Sequence, residues 1–152
     1  MALFLSTYTN KVDKKGRVSV PAPFRAALGE QLAQGIVVFR PGQHECLEGF
    51  DWAKMDEISE RLDAFDLFSD EQDDLATTIF GDSVQLFFDG DGRITLSLEL
   101  MEASHIVDKA VFVGLGRKFQ IWAPEYFAKR KAQARSAVHE KKLTVPKSGG
   151  AA

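Results

Sequence analysis

A single cysteine in 152 residues, Cys46, excludes an internal disulfide and any zinc site built from several thiolates. Beside Leu47 in an apolar segment, it reads as a buried small side chain rather than a nucleophile. The three histidines, His44, His105 and His139, show no ligand spacing with it or with one another. No run approaches the roughly 20 apolar residues of a membrane span. Met1-Ala2-Leu3-Phe4 lacks the basic region and cleavage site of a signal peptide, so a cytoplasmic location is expected. There is also no phosphate-cradling loop, metal cluster or nucleophile–base pair, and hence no cofactor, metal or small-molecule substrate is expected.

Strong net charge is absent too. The total of -3 argues against a uniformly basic nucleic-acid binder, but it conceals a sorting along the chain. Residues 1–30 hold Lys11, Lys14, Lys15, Arg17 and Arg25 against Asp13 and Glu30. Residues 51–75 hold ten acids against Lys54 and Arg61, and residues 115–147 hold nine Lys and Arg against Glu125 and Glu140. A polyanion would meet one attractive surface and one repellent one.

What the chain does have is an internal repeat. Asp13-Lys14-Lys15-Gly16-Arg17 followed by Val18-Ser19-Val20-Pro21 returns 76 positions later as Asp89-Gly90-Asp91-Gly92-Arg93 followed by Ile94-Thr95-Leu96-Ser97. Each copy continues with a short helical segment, an apolar run and an aromatic-bearing segment, Cys46 to Trp52 in the first and Phe119 to Tyr126 in the second. Half a chain of this length buries too little apolar surface to fold alone, so the copies should share one core. The division expected is a first unit over 1–52, a helical connector over 53–81, a second unit over 82–135 and a disordered tail over 136–152.

Alternation predicts strands at Phe4–Tyr8, Arg17–Val20, Ile36–Phe39, about Glu45–Phe50, Ser83–Phe88, Arg93–Leu96, Ala110–Val113 and Phe119–Trp122. Short helices are expected from Pro23 and from Leu98, and a last one from Pro124. Trp52, Met55, Ile58, Leu62 and Phe65 recur at helical spacing behind the capping residue Asp51. Ser69 with Gln72 resembles a capping box for a second connector helix ending near Gly81.

The chemistry of interest lies in the pairs Asp13 with Arg17 and Asp89 with Arg93. A carboxylate four residues before a guanidinium can fold back onto the loop backbone or pair with the Arg, which makes Asp13, Gly16, Asp89 and Gly92 loop-structuring candidates. The arginines sit at loop tips with low packing demand, where a guanidinium can grip phosphate or read guanine.

With these residues in view, the chain resembles the MraZ transcriptional regulators of the SpoVT/AbrB-like superfamily. The matching residues are Asn10, Asp13 to Pro21, Phe24-Arg25, Cys46-Leu47, Phe50, Trp52, Asp89 to Arg93, Val113-Gly114 and Phe119 to Trp122, and the likeness covers roughly residues 1–135. The resemblance implies an α+β, mainly β fold: tandem duplicated swapped-hairpin (AbrB-like) units forming a pseudo-dimeric barrel with short flanking helices. It implies a DNA-binding regulator, not an enzyme, that assembles as a homo-oligomeric ring at the nucleoid. The partner implied is double-stranded DNA with short direct repeats, in the promoter of the bacterial division and cell-wall gene cluster. Carried onto this chain, the motif makes Lys14, Lys15, Arg17 and Arg93 the expected DNA-binding side chains.

The chain departs from the pattern in its second copy. Ser97 stands where Pro21 stands in the first, which predicts a less rigid exit from the strand, and Gly90-Asp91 replace Lys14-Lys15. Two rivals follow from the residues. Asp13 and Asp89 could meet as a shared-proton acid pair, although Lys-Lys-Gly-Arg and Gly-Asp-Gly-Arg follow them rather than the Thr-Gly or Ser-Gly of aspartic proteases. An antitoxin with a partner-wrapping tail is the other, although residues 136–152 are short and polar.

Overall fold

The computed structural model of the chain describes residues 3–66 and 68–147. Among them the first copy supplies β1 (Thr7–Lys11), β2 (Arg17–Ser19), α1 (Ala22–Leu28), a 3-10 helix (Gly29–Gln34), β3 (Ile36–Phe39) and β4 (Leu47–Phe50). The connector is α2 (Trp52–Leu62) and α3 (Asp70–Ile79). The second copy supplies β5 (Val84–Leu86), β6 (Arg93–Thr95), α4 (Leu98–Ala103), β7 (Lys109–Gly114) and β8 (Phe119–Trp122), and α5 (Pro124–Lys141) follows. The fold is α+β with strands predominating.

Six strands form one antiparallel sheet in the order β1-β7-β8-β4-β3-β5, and β2 pairs with β6 as a separate ribbon. The copies exchange strands: β1 pairs with β7 of the second copy, and β5 with β3 of the first. Equivalent residues meet at the two central crossings, Glu48 opposite Gln120 between β4 and β8 and Val18 opposite Ile94 in the ribbon. An approximate two-fold axis therefore passes between the members of each pair. The closed barrel implied by the family resemblance is not formed among the described residues, because β1 and β5 are the outer strands of an open sheet. Past Val12 after β1, and past Phe87 and Phe88 after β5, the chain turns at Asp13 and Asp89 into the ribbon strands β2 and β6.

Both copies fill one core, as the length argument requires. Phe24 from α1 packs edge-on to Phe4, with centroids 5.3 Å apart, and meets Phe112 and Phe119 of the second copy at 6.3 and 5.3 Å. Val18, Ile36, Leu47, Ile94, Leu96 and Ile121 are buried around this cluster. Burying a side chain of this size contributes roughly 1.5–3 kcal/mol.

Several boundaries differ from the sequence reading. β1 starts three residues late because Ser6 takes a positive φ of 73°, which interrupts the alternating run and leaves Phe4 to pair alone with Gly116. Asp51 caps α2 as expected, its Oδ1 accepting from the Lys54 amide at 2.9 Å. The helix then ends at Leu62, its one buried residue, and Trp52 and Phe65 stay exposed. At α3 the box is half made: Ser69 Oγ accepts from the Gln72 amide at 3.2 Å, while Gln72 Nε2 donates to the Leu62 carbonyl. α5 runs six residues into the segment expected to be a disordered tail, since that stretch is rich in Ala, Lys, Arg and Gln with no Gly or Pro before Pro146. Residues 148–152 of that tail lie outside the described residues.

Candidate nucleic-acid interface

The loop from Asp13 to Arg17 is a turn held from inside by one carboxylate. Asp13 Oδ1 accepts from the amides of Lys15 and Arg17, both at 2.9 Å, and Oδ2 accepts from Arg17 Nε at 2.6 Å. The backbone closes the same loop, Gly16 N donating to the Asp13 carbonyl and Asp13 N to the Arg17 carbonyl, both at 3.0 Å. The second loop repeats the scheme: Asp89 Oδ1 accepts from the amides of Asp91 and Arg93 at 2.8 and 3.0 Å, and Oδ2 from Arg93 Nε at 2.8 Å. The two readings of these pairs are both realised, since each carboxylate ties the backbone and the guanidinium at once.

The amide of Arg17, foremost, holds the Asp13 carboxyl below its ordinary value, and the amide of Arg93 does the same for Asp89. A shared-proton pair would need one carboxyl raised. Each is instead lowered within its own loop.

Gly16 and Gly92 have φ of 84° and 75°, the left-handed region that a side chain enters only at a cost. Their carbonyls extend the ribbon by one rung at either end, Leu96 N donating to Gly16 O at 2.8 Å and Val20 N to Gly92 O at 3.2 Å. The loops thus stand at opposite ends of β2–β6. Along the ribbon Val18 and Ile94 face the core, so Arg17, Ser19, Arg93 and Thr95 share the outer face. The rows carrying Arg17 and Arg93 are two residues apart, about 7 Å along the strands.

All four sequence-predicted cations reach solvent. Lys14 and Lys15 are exposed, and the side chains of Arg17 and Arg93 are 37% and 30% exposed. They are not equivalent. Among the described residues Arg17 engages only through Nε, leaving its terminal nitrogens unbonded, whereas Arg93 Nη2 also pairs with Asp91 Oδ2 at 3.3 Å. At the exit from β6, where the first copy has Pro21, Ser97 Oγ accepts from the Leu100 amide at 3.2 Å and caps α4.

Sequence reasoning missed Arg25. Its Nε donates to the Val20 carbonyl at 3.1 Å, and its guanidinium lies against Gly92, so a cation from the first copy stands at the loop of the second. No local pattern reveals this, because the contact spans the repeat. Elsewhere the sheet centre holds a buried polar chain: Glu48 accepts from Lys118 and from Gln120 Nε2, and Gln120 Oε1 accepts from Trp122 Nε1 at 2.9 Å. Burial pushes the Cys46 thiol up to about 12, which keeps it protonated and unreactive. Among the described residues no cluster of metal-ligating side chains occurs, and no helix is long and apolar enough to cross a membrane.

Comparison with known proteins covers nearly the whole chain. A family model described as "MraZ protein, putative antitoxin-like" matches residues 3–77 and 79–145. A protein of Rickettsia typhi named transcriptional regulator MraZ is 43% identical over 145 residues, 95% of this chain and 97% of its own length. Proteins of the same name from Rickettsia akari and Rickettsia bellii are each 41% identical over 95% of this chain.

Proposed function

The chain belongs to the MraZ family, and from that membership and the geometry of its two loops we propose that it regulates transcription by binding double-stranded DNA in a sequence-specific way. The observation that carries this reading is the outer face of the β2–β6 ribbon, which carries Arg17 and Arg93 on rows two residues apart, with Lys14 and Lys15 at one end. A two-stranded ribbon fits the major groove of B-DNA, and the spacing of the arginine rows matches about two base-pair steps. Lys14 and Lys15 neutralise phosphates, and Arg17, assisted by Arg93, reaches base edges. The Asp13 and Asp89 anchors do more than fix the turns: by holding each arginine at Nε they aim its terminal nitrogens and lower the entropy lost on binding.

The amides of Lys15, Arg17, Asp91 and Arg93 are not free to cradle a phosphate, since Asp13 and Asp89 already occupy them. Affinity must come from side chains. One chain offers few such contacts, and a homo-oligomeric ring presenting the loops repeatedly multiplies affinity through effective concentration. Short direct repeats suit that display, and the target we assign is the promoter of the bacterial division and cell-wall gene cluster, bound at the nucleoid. The exchange of β1 and β5 between copies supports reading the chain as a swapped-hairpin pseudo-dimer.

The test is gel retardation of that promoter with Arg17→Ala, accompanied by sedimentation of the same sample. Loss of retardation with the assembly intact is expected; unchanged retardation rejects the assignment of Arg17. Footprinting across the genome at stated salt then identifies the operator.

A further inference from the structure

α5 is eighteen residues long and none of them is buried. A helix of this length spans about 27 Å; Tyr126 and Phe127 pack its first turns against the core, and the longer stretch beyond them is mostly polar, with little to hold it in isolation. Lys129, Arg130, Lys131, Arg135, Lys141 and the adjoining Lys142 stand along it against Glu125 and Glu140. Among the described residues none of these six cations takes part in an ion pair. Val138 near the end of α5, and Leu143 and Val145 just past it, are exposed apolar side chains.

The second connector helix, α3, is the complement of this one in charge. Between Arg61 and Arg93 the chain carries no Lys or Arg. α3 also buries none of its residues, and its carboxylates Asp70, Glu71, Asp73 and Asp74 make no ion pair among the described residues. Phe65, Phe68 and Leu75 are exposed beside them, Phe68 at 90%.

We propose that α5 of one copy docks on α3 and the adjoining turn of a second copy of this chain. Cations then face carboxylates while Val138 and Leu143 cover the exposed aromatics, so α3 and the second half of α5 gain apolar burial that neither has alone. The two surfaces are different, which makes the contact head-to-tail and able to repeat around a closed assembly. This rests on the oligomer proposed above and names the surfaces that build it. DNA would satisfy the cations of α5 but not the apolar residues at its end, and it would leave α3 uncovered.

Sedimentation velocity on the full chain tests the pairing, with circular dichroism confirming the fold of each sample. Lys131→Glu/Arg135→Glu on α5 and Glu71→Lys/Asp74→Lys on α3 should each raise the dissociation concentration about tenfold or more. Mixed in equal amounts, the two variants should regain the wild-type assembly, because each reversed surface then meets an opposite one. If both variants alone keep the wild-type mass, this inference is overturned while the oligomer stands. If the α5 variant keeps its mass but loses DNA retardation, α5 is a nucleic-acid contact and the inference is again overturned. A wild-type chain that is monomeric at low salt removes the oligomer itself.

Discussion

The guanidinium of Arg25 lies against Gly92, where an added Cβ would come within 2.7 Å of it. The equivalent contact at the first loop is made by Met101, whose sulfur would lie 3.6 Å from a Cβ on Gly16. Each loop is therefore packed from the other copy, by a cation in one case and a thioether in the other. Arg25 places positive charge at the loop that lacks lysines.

The two glycines should not tolerate substitution equally. Either alanine costs about 1–2 kcal/mol for its backbone conformation, but at Gly16 the new methyl also meets the Leu96 carbonyl oxygen at 2.2 Å, which is backbone and cannot turn aside. At Gly92 the atoms nearest an added methyl belong to the Arg25 guanidinium, the far end of a flexible side chain. Urea titration should show Gly16→Ala as the more destabilised variant, and Gly92→Ala as the one that loses DNA affinity beyond its loss of stability. Equal loss in both respects would contradict the packing described.

The second loop restrains itself with an acid. Asp91→Ala removes the 3.3 Å pair to Arg93 Nη2 and one negative charge from the side proposed to face DNA. Anisotropy titrations should show tighter binding and a steeper dependence on salt. Lys14→Ala should act the other way, lowering the log–log salt slope by about 0.9, the share of one phosphate contact. An unchanged slope would remove Lys14 from the interface.

Acid should loosen the loops. The folded-state pKa of Asp13 and Asp89 lies below the ordinary 3.8, so their contribution is present above that value and is lost as pH falls through the lowered one. Thermal melts of the wild type and of Asp13→Asn/Asp89→Asn should differ most near neutrality and converge as pH drops below about 4. A difference that persisted at pH 2 would place the effect elsewhere.

The repeat, the loops and the shared core were legible because they are local or doubled: an Asp-x-x-Gly-Arg echo, alternating runs and capping residues such as Asp51 and Ser69 all write their structure into adjacent positions. The positive φ of Ser6 was not legible, since a serine carries no local signal for it. The stripe from Trp52 to Phe65 was read correctly as a helix and wrongly as extending past Leu62, because periodicity reports a face and not what covers it. Arg25 at Gly92 escaped for a related reason. Side chains that bridge the copies obey no spacing rule, and only the fold brings them together.

Glu48 opposite Gln120 has a consequence for ancestry. In a symmetric pair of separate single-unit chains the residue on the dyad faces itself, so a carboxylate there would confront a carboxylate in a nearly dry sheet centre. Joining two units end to end lifts that restriction, and an acid can accept from an amide that no identical neighbour could have supplied. The same freedom lets one loop specialise in charge while its sibling does not, giving each chain a front and a back along any duplex it grips.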